Sequence, residues 1–185
     1  MQEVSINKSM KLSQHFTLGE LCKTKHDTED GNIPSRVAIE NLKRICENWL
    51  EDLRYSYNML YVHSGVRPQS KVAGDCTLAP DPGAAPASRK EEPIIINSGY
   101  RSPAVNLLAG GAKTSNHLSG CAVDIRCAGK EQMIRYASIL LDIADGTKQD
   151  YDELLLEQHG SVCWLHFAVR PPSQGNRRKI DFLKG

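Results

Sequence analysis

The sequence predicts an α+β fold: a small antiparallel or mixed sheet with helices packed on one face. Three observations predict it. Ala38, Leu42, Ile45, Cys46, Trp49, Leu53 and Tyr57 recur at steps of three and four, the period of an amphipathic helix over 35–57. Two apolar runs, 152–157 and 162–169, flank Gln158-His159-Gly160-Ser161, a hairpin signal. In chain order the elements run helix, helix, strand, helix, strand, helix, strand, strand, and the hairpin makes the sheet at least partly antiparallel.

Residues 1–13 are polar. Thr17 followed by Glu20 fits a capping box opening a short helix. A loop with Gly31, Asn32 and Pro34 leads to Ser35, a side chain suited to cap the long helix. Residues 64–93 hold five of the nine prolines and predict a mobile insertion, breaking a hairpin between about 59–63 and 94–97. Ile94-Ile95-Ile96 is a short buried strand. Ser102-Pro103 starts a helix, with serine at the cap and proline in the first turn, and Gly110-Gly111 ends it. Residues 121–127 alternate as a strand. Met133, Ala137, Leu140, Leu141 and Ala144 mark a second amphipathic helix over 130–144. The basic tail, 171–185, is expected to be a solvated end or to be drawn to an anionic envelope.

Composition narrows the function. The 185 residues are 40% hydrophobic and 24% charged, ordinary for a globular chain. Lys+Arg is 23 against Asp+Glu 22, a balance without the basic excess of a nucleic-acid binder. No apolar run approaches the roughly 18–20 residues of a membrane span. The opening MQEVSINKSMKLSQHF lacks the apolar core of a secretory signal, so synthesis in the cytoplasm is expected. The six cysteines show no C-x-x-C spacing, which favours free thiols; Cys76 lies in the proline-rich stretch. A monomer is expected.

Two of the six histidines stand in informative surroundings. His117 lies in Ser115-Asn116-His117-Leu118-Ser119-Gly120-Cys121-Ala122-Val123-Asp124, where a polar loop leads into a strand that delivers Asp124. His166 lies in Trp164-Leu165-His166-Phe167, an imidazole between large apolar side chains. Two histidines and one carboxylate make an open three-ligand set for zinc, with a fourth position left for water. Zinc lowers the pKa of such a water toward ~7 and so supplies a nucleophile at neutral pH. His15, His26 and His159 have no such partners in sequence and are not expected to be ligands.

These residues carry a resemblance. Ser98-Gly99-Tyr100-Arg101-Ser102-Pro103, then Ser115-x-His117-x-x-Gly120-x-Ala122-x-Asp124, then Trp164-x-His166 resembles the zinc D-Ala-D-Ala carboxypeptidase and peptidoglycan endopeptidase family, of the Hedgehog/DD-peptidase fold. His15-Phe16-Thr17-Leu18-x-Glu20-Leu21 is similar to the opening of its phage and prophage branch. The resemblance spans residues 14–170 apart from 64–93. It implies a zinc peptidase domain there, followed by the basic tail. It implies His117, Asp124 and His166 as zinc ligands, and Arg101 and Ser115 as substrate-binding residues. The implied substrate is a peptidoglycan stem peptide, cut next to a D-amino acid. Action on the cell wall would follow release of the endolysin type. The alternative is a non-catalytic zinc-holding module, or a phage structural component, on the same fold.

One departure stands out. Many members of that family carry an acid three positions before the last zinc histidine, and here that position is Cys163. The general base must then come from the preceding strand. The E-x-L-L-x-E-Q stretch favours Glu157, whereas simple pairing across His159-Gly160 puts Glu153 opposite His166. Both remain candidates.

Overall fold

The computed structural model describes residues 7–63, 90–171 and 173–185. The expected insertion over 64–93 falls largely outside these residues, as does Cys76. Thr17 and Glu20 form the capping box that opens α1 (Leu18–Leu21), each side chain bonding the other's backbone. Ser35 caps α2 (Arg36–Ile45) by accepting from the Ala38 N–H. The helix continues through a π-helical turn (Cys46–Leu50) into α3 (Glu51–Tyr57) and a second π-helical turn (Asn58–His63).

The expected strand at 59–63 is therefore helical. No glycine or proline interrupts the chain before Gly65, so nothing stops the helix there. Asn58 also ties this turn down. Its amide donates to the carbonyls of Arg54 and Glu92 and accepts from the Glu92 N–H.

The sheet has five strands in the order β1 (Ile96–Ser98), β2 (Ala122–Cys127), β4 (Val162–Ala168), β3 (Glu153–His159) and β5 (Lys179–Lys184). All neighbours are antiparallel except β3 and β5, so the sheet is mixed. Between β1 and β2 lie α4 (Pro103–Leu108), capped by Ser102, and a 3₁₀ turn (Asn116–Ser119). Between β2 and β3 lies α5 (Lys130–Thr147).

Side chains alternate across a sheet, so register assigns each residue to a face. Val123, Ile125, Leu154, Leu156, Leu165 and Phe167 share the face covered by the helices and are buried there. Trp49 packs on Phe167 with ring centroids 5.0 Å apart, and Tyr57 on Tyr136 at 4.8 Å. Cys163 belongs to this core. Asp124, His166, Glu153 and Glu157 share the opposite face. The fold thus puts apolar packing on one side of the sheet and the titratable groups on the other.

Within the basic tail β5 lies parallel to β3 at the edge of the sheet, with its residues exposed to solvent. Acidic partners hold the segment in place. Arg178 pairs with Asp145 and Asp150, and Arg177 with Asp152 and Glu153. No helix among the described residues is long and apolar enough to cross a membrane.

Candidate metal centre

His117 enters the site from the 3₁₀ turn. Ser115 caps that turn, its hydroxyl oxygen accepting from the His117 N–H at 3.3 Å. Gly120 closes the turn at φ +69, where a Cβ would lie only 2.4 Å from the Ala38 carbonyl oxygen. Only glycine meets both demands. The chain then enters β2, whose third residue is Asp124.

Asp124 and His166 sit directly opposite each other on β2 and β4. The bond from the Val169 N–H to the Cys121 carbonyl fixes the parity of this ladder. It makes Asp124 and His166 a non-hydrogen-bonded pair, the closer kind, with Cα atoms about 4.5 Å apart in such ladders. The pairing itself presses the two side chains together.

Both imidazoles reach one carboxylate oxygen. Asp124 Oδ1 lies 2.8 Å from His166 Nδ1 and 3.2 Å from His117 Nε2. His117 Nδ1 lies 2.5 Å from the Gly99 carbonyl, which can only accept, so Nδ1 carries the proton and Nε2 faces Asp124. All three side chains are buried, and their ligand atoms lie within 4.8 Å of one another. Among the described residues this is the group that could hold a metal ion. Two nitrogens and one oxygen converging on a common point suit a borderline-soft divalent ion.

Electrostatics match that geometry. Burial alone would push the Asp124 carboxyl up, but His117 and hydrogen bonds from both imidazoles hold it well below the usual carboxylate range. Burial favours a neutral His166 ring, yet Asp124 and Glu153 push its pKa up to about 9. The His166 ring in turn draws Glu153 down to about 2, with Arg177 and Asn116 adding to the effect against burial. Glu157 moves the other way: burial pushes it up.

The cluster lies in a cleft of about 600 Å³ that also takes in Arg101, Ser115, Glu153, Glu157, Trp164, Arg170 and Arg177. Arg101 donates to Asp124 Oδ2 and, through Nε, to the Ser98 hydroxyl at 2.8 Å. Its guanidinium is thus turned toward the centre.

The hairpin register differs from the simple pairing. Its turn is Gly160–Ser161, with Gly160 at φ +57, so the ladder shifts by two residues. Leu155 stands opposite His166, with Glu153 opposite Ala168 and Glu157 opposite Trp164. Both glutamates are diagonal neighbours of His166 on the same face, one toward each end of β3.

Sequence reasoning missed a second cluster beside the first. Asp152 is fully buried and accepts from Arg170 at 3.0 Å, from Arg177 Nε at 2.8 Å and from Asn116 at 2.9 Å. The Asn116 amide also donates to Glu153 Oε2 at 3.0 Å. The available signal was the Asp-Glu pair opening a strand, with unpaired arginines downstream.

Residues 87–149 match the Peptidase M15 family. The matched segment, about a third of the chain, contains Arg101, Ser115, His117 and Asp124; His166 and both glutamates lie beyond it and join through strand pairing. No curated protein matches the chain. The α+β architecture agrees with a fold of this kind, and over residues 87–149 the chain is similar to the Peptidase M15 family.

Proposed function

We propose that the chain is a zinc metallopeptidase that hydrolyses a peptide bond next to a D-amino acid in a peptidoglycan stem peptide. The observation that carries this reading is the convergence of His117, Asp124 and His166 in the lining of an open cleft, in a chain whose residues 87–149 match the Peptidase M15 family. His117 through Nε2, Asp124 through its carboxylate and His166 through Nδ1 would hold the ion. Zinc, when bound, polarises a carbonyl and makes water acidic enough to react at neutral pH.

The remaining steps belong to the chain's own residues. Glu157 is the general base. It faces the cleft, it has no salt bridge among the described residues, and burial has raised its proton affinity. It takes a proton from the attacking water at its carboxylate and delivers it to the departing amine nitrogen as the C–N bond breaks. The products are a carboxylate and an amine. Arg101 orients the substrate by a charge-assisted bond to its carboxylate or scissile carbonyl, and Ser115 by a bond to the peptide. Cys163 takes no part, since it lies in the core on the other face of the sheet.

The His15–Leu21 stretch supports a phage or prophage setting, with action on the cell wall. Mass spectrometry of muropeptides incubated with zinc-loaded and chelator-treated protein tests the reading and identifies the bond cut. Chelator-sensitive cleavage is expected, with about one zinc per chain that His117→Ala abolishes. Intact muropeptides with zinc bound would turn the reading to a binding module; unchanged metal content in His117→Ala would refute the ligand assignment.

A further inference from the structure

His166 has a carboxylate at each ring nitrogen. Nδ1 lies 2.8 Å from Asp124 Oδ1, and Nε2 lies 3.6 Å from Glu153 Oε2, an ion-pair separation. A neutral imidazole carries one proton, so the two carboxylates compete for it. A cation joining Asp124 would decide the competition. It needs the lone pair of the nitrogen that faces it, Nδ1, and leaves the proton on Nε2, toward Glu153.

Glu153 is built to receive that proton and to stay in place. Asn116 donates to Oε2 at 3.0 Å, and Arg177 lies 2.9 Å from Oε1. The same asparagine and the same arginine are fixed in turn by buried Asp152, at 2.9 Å and 2.6 Å. Both Glu153 oxygens are therefore engaged. A general base needs an oxygen free to move toward water, which Glu153 lacks.

We propose that Glu153 is a positioning residue: braced by Asn116 and Arg177, it holds the Nε2–H of His166 so that Nδ1 is presented beside Asp124. The inference rests on the zinc reading above. It gives β5 a part in the site, because Arg177 at its threshold completes the brace. Carboxylates in this position are common partners of metal-bound histidines, and their loss costs about 10–100-fold in metal affinity.

The test is zinc affinity by competition with a chromophoric chelator, on the wild type, Glu153→Ala and Glu153→Gln, with nitrogen-15 NMR of the His166 ring. Thermal melts establish that each variant is folded. Glu153→Ala should bind zinc about 10–100-fold more weakly. Glu153→Gln keeps an acceptor oxygen and should stay within a few-fold of wild type in both affinity and turnover. In the zinc-loaded wild type, Nε2 should carry the proton. Wild-type affinity in Glu153→Ala, or a proton on Nδ1, would overturn the proposal. So would a Glu153→Gln variant that keeps zinc but loses turnover by 10²-fold or more, since that makes Glu153 the base. If Glu153→Ala does not fold, the wild-type ring protonation decides. A wild type that takes up no zinc would instead fail the zinc reading itself, and the proposal with it.

Discussion

Glu153 and Glu157 are the same residue type on the same face of the same strand, and their surroundings drive them apart. Glu153 is ionised well into acid, whereas Glu157 is pushed up by burial. A proton acceptor and donor is better served by the second. Glu157→Gln is expected to lower turnover by about 10²–10⁴-fold while zinc content is unchanged. Cys163→Ser should stay within a few-fold, because three residues along a regular strand is an odd step and turns the side chain away from His166. Kinetics at matched zinc loading check both. Loss of activity confined to the Cys163 variant would reverse the assignment. The same parity makes an acid at position 163 ineffective here without a bulge to rotate it, and β4 pairs through that position without one.

At the scale of elements, β5 and the start of β3 are clamped by Asp152. Its buried carboxylate takes two guanidinium groups and one amide, and this pulls its pKa down against burial. Removing it strands hydrogen-bonding groups from three segments. Asp152→Ala is expected to cost about 1–3 kcal/mol, the range for unsatisfied buried polar groups, read as a lower denaturant midpoint. An unchanged midpoint would mean that the clamp contributes nothing net. The elements show what a sequence conveys. The caps at Thr17, Ser35 and Ser102 were legible because capping is local chemistry between residues three apart. The stripe from Ala38 to Tyr57 was legible because burial imposes its period. The docking of β5 was not, since a parallel edge strand depends on Asp145, Asp150, Asp152 and Glu153, all distant in sequence. The hairpin register also escaped, because moving a turn by one residue moves each pairing by two. His117, Asp124 and His166 were legible through motif resemblance; β2–β4 pairing brings the last two together, and the 3₁₀ turn brings His117 to them.

For the molecule as a whole, the metal-free protein should have a definite pH window of stability. Glu153 drops from 4.5 to about 2 on folding, so its contribution is present above pH 4.5 and fades as pH falls toward 2. His166 rises from 6.5 to about 9, so its contribution is full below pH 6.5 and fades as pH climbs toward 9. Thermal melts with chelator present should therefore peak between pH 4.5 and 6.5, and a peak at pH 8–9 would contradict these shifts. Zinc, bound as proposed, would remove the alkaline loss, because a ligand His166 is already deprotonated at the nitrogen that faces the ion. The separation of the two sheet faces has a further consequence. Trp49, Phe167, Leu154 and Leu165 pack on the face away from the centre, and strand pairing by itself sets Asp124 and His166 opposite each other. A chelated preparation should keep its secondary structure and regain full activity on adding zinc back, so demetallation acts as a reversible switch rather than a route to unfolding.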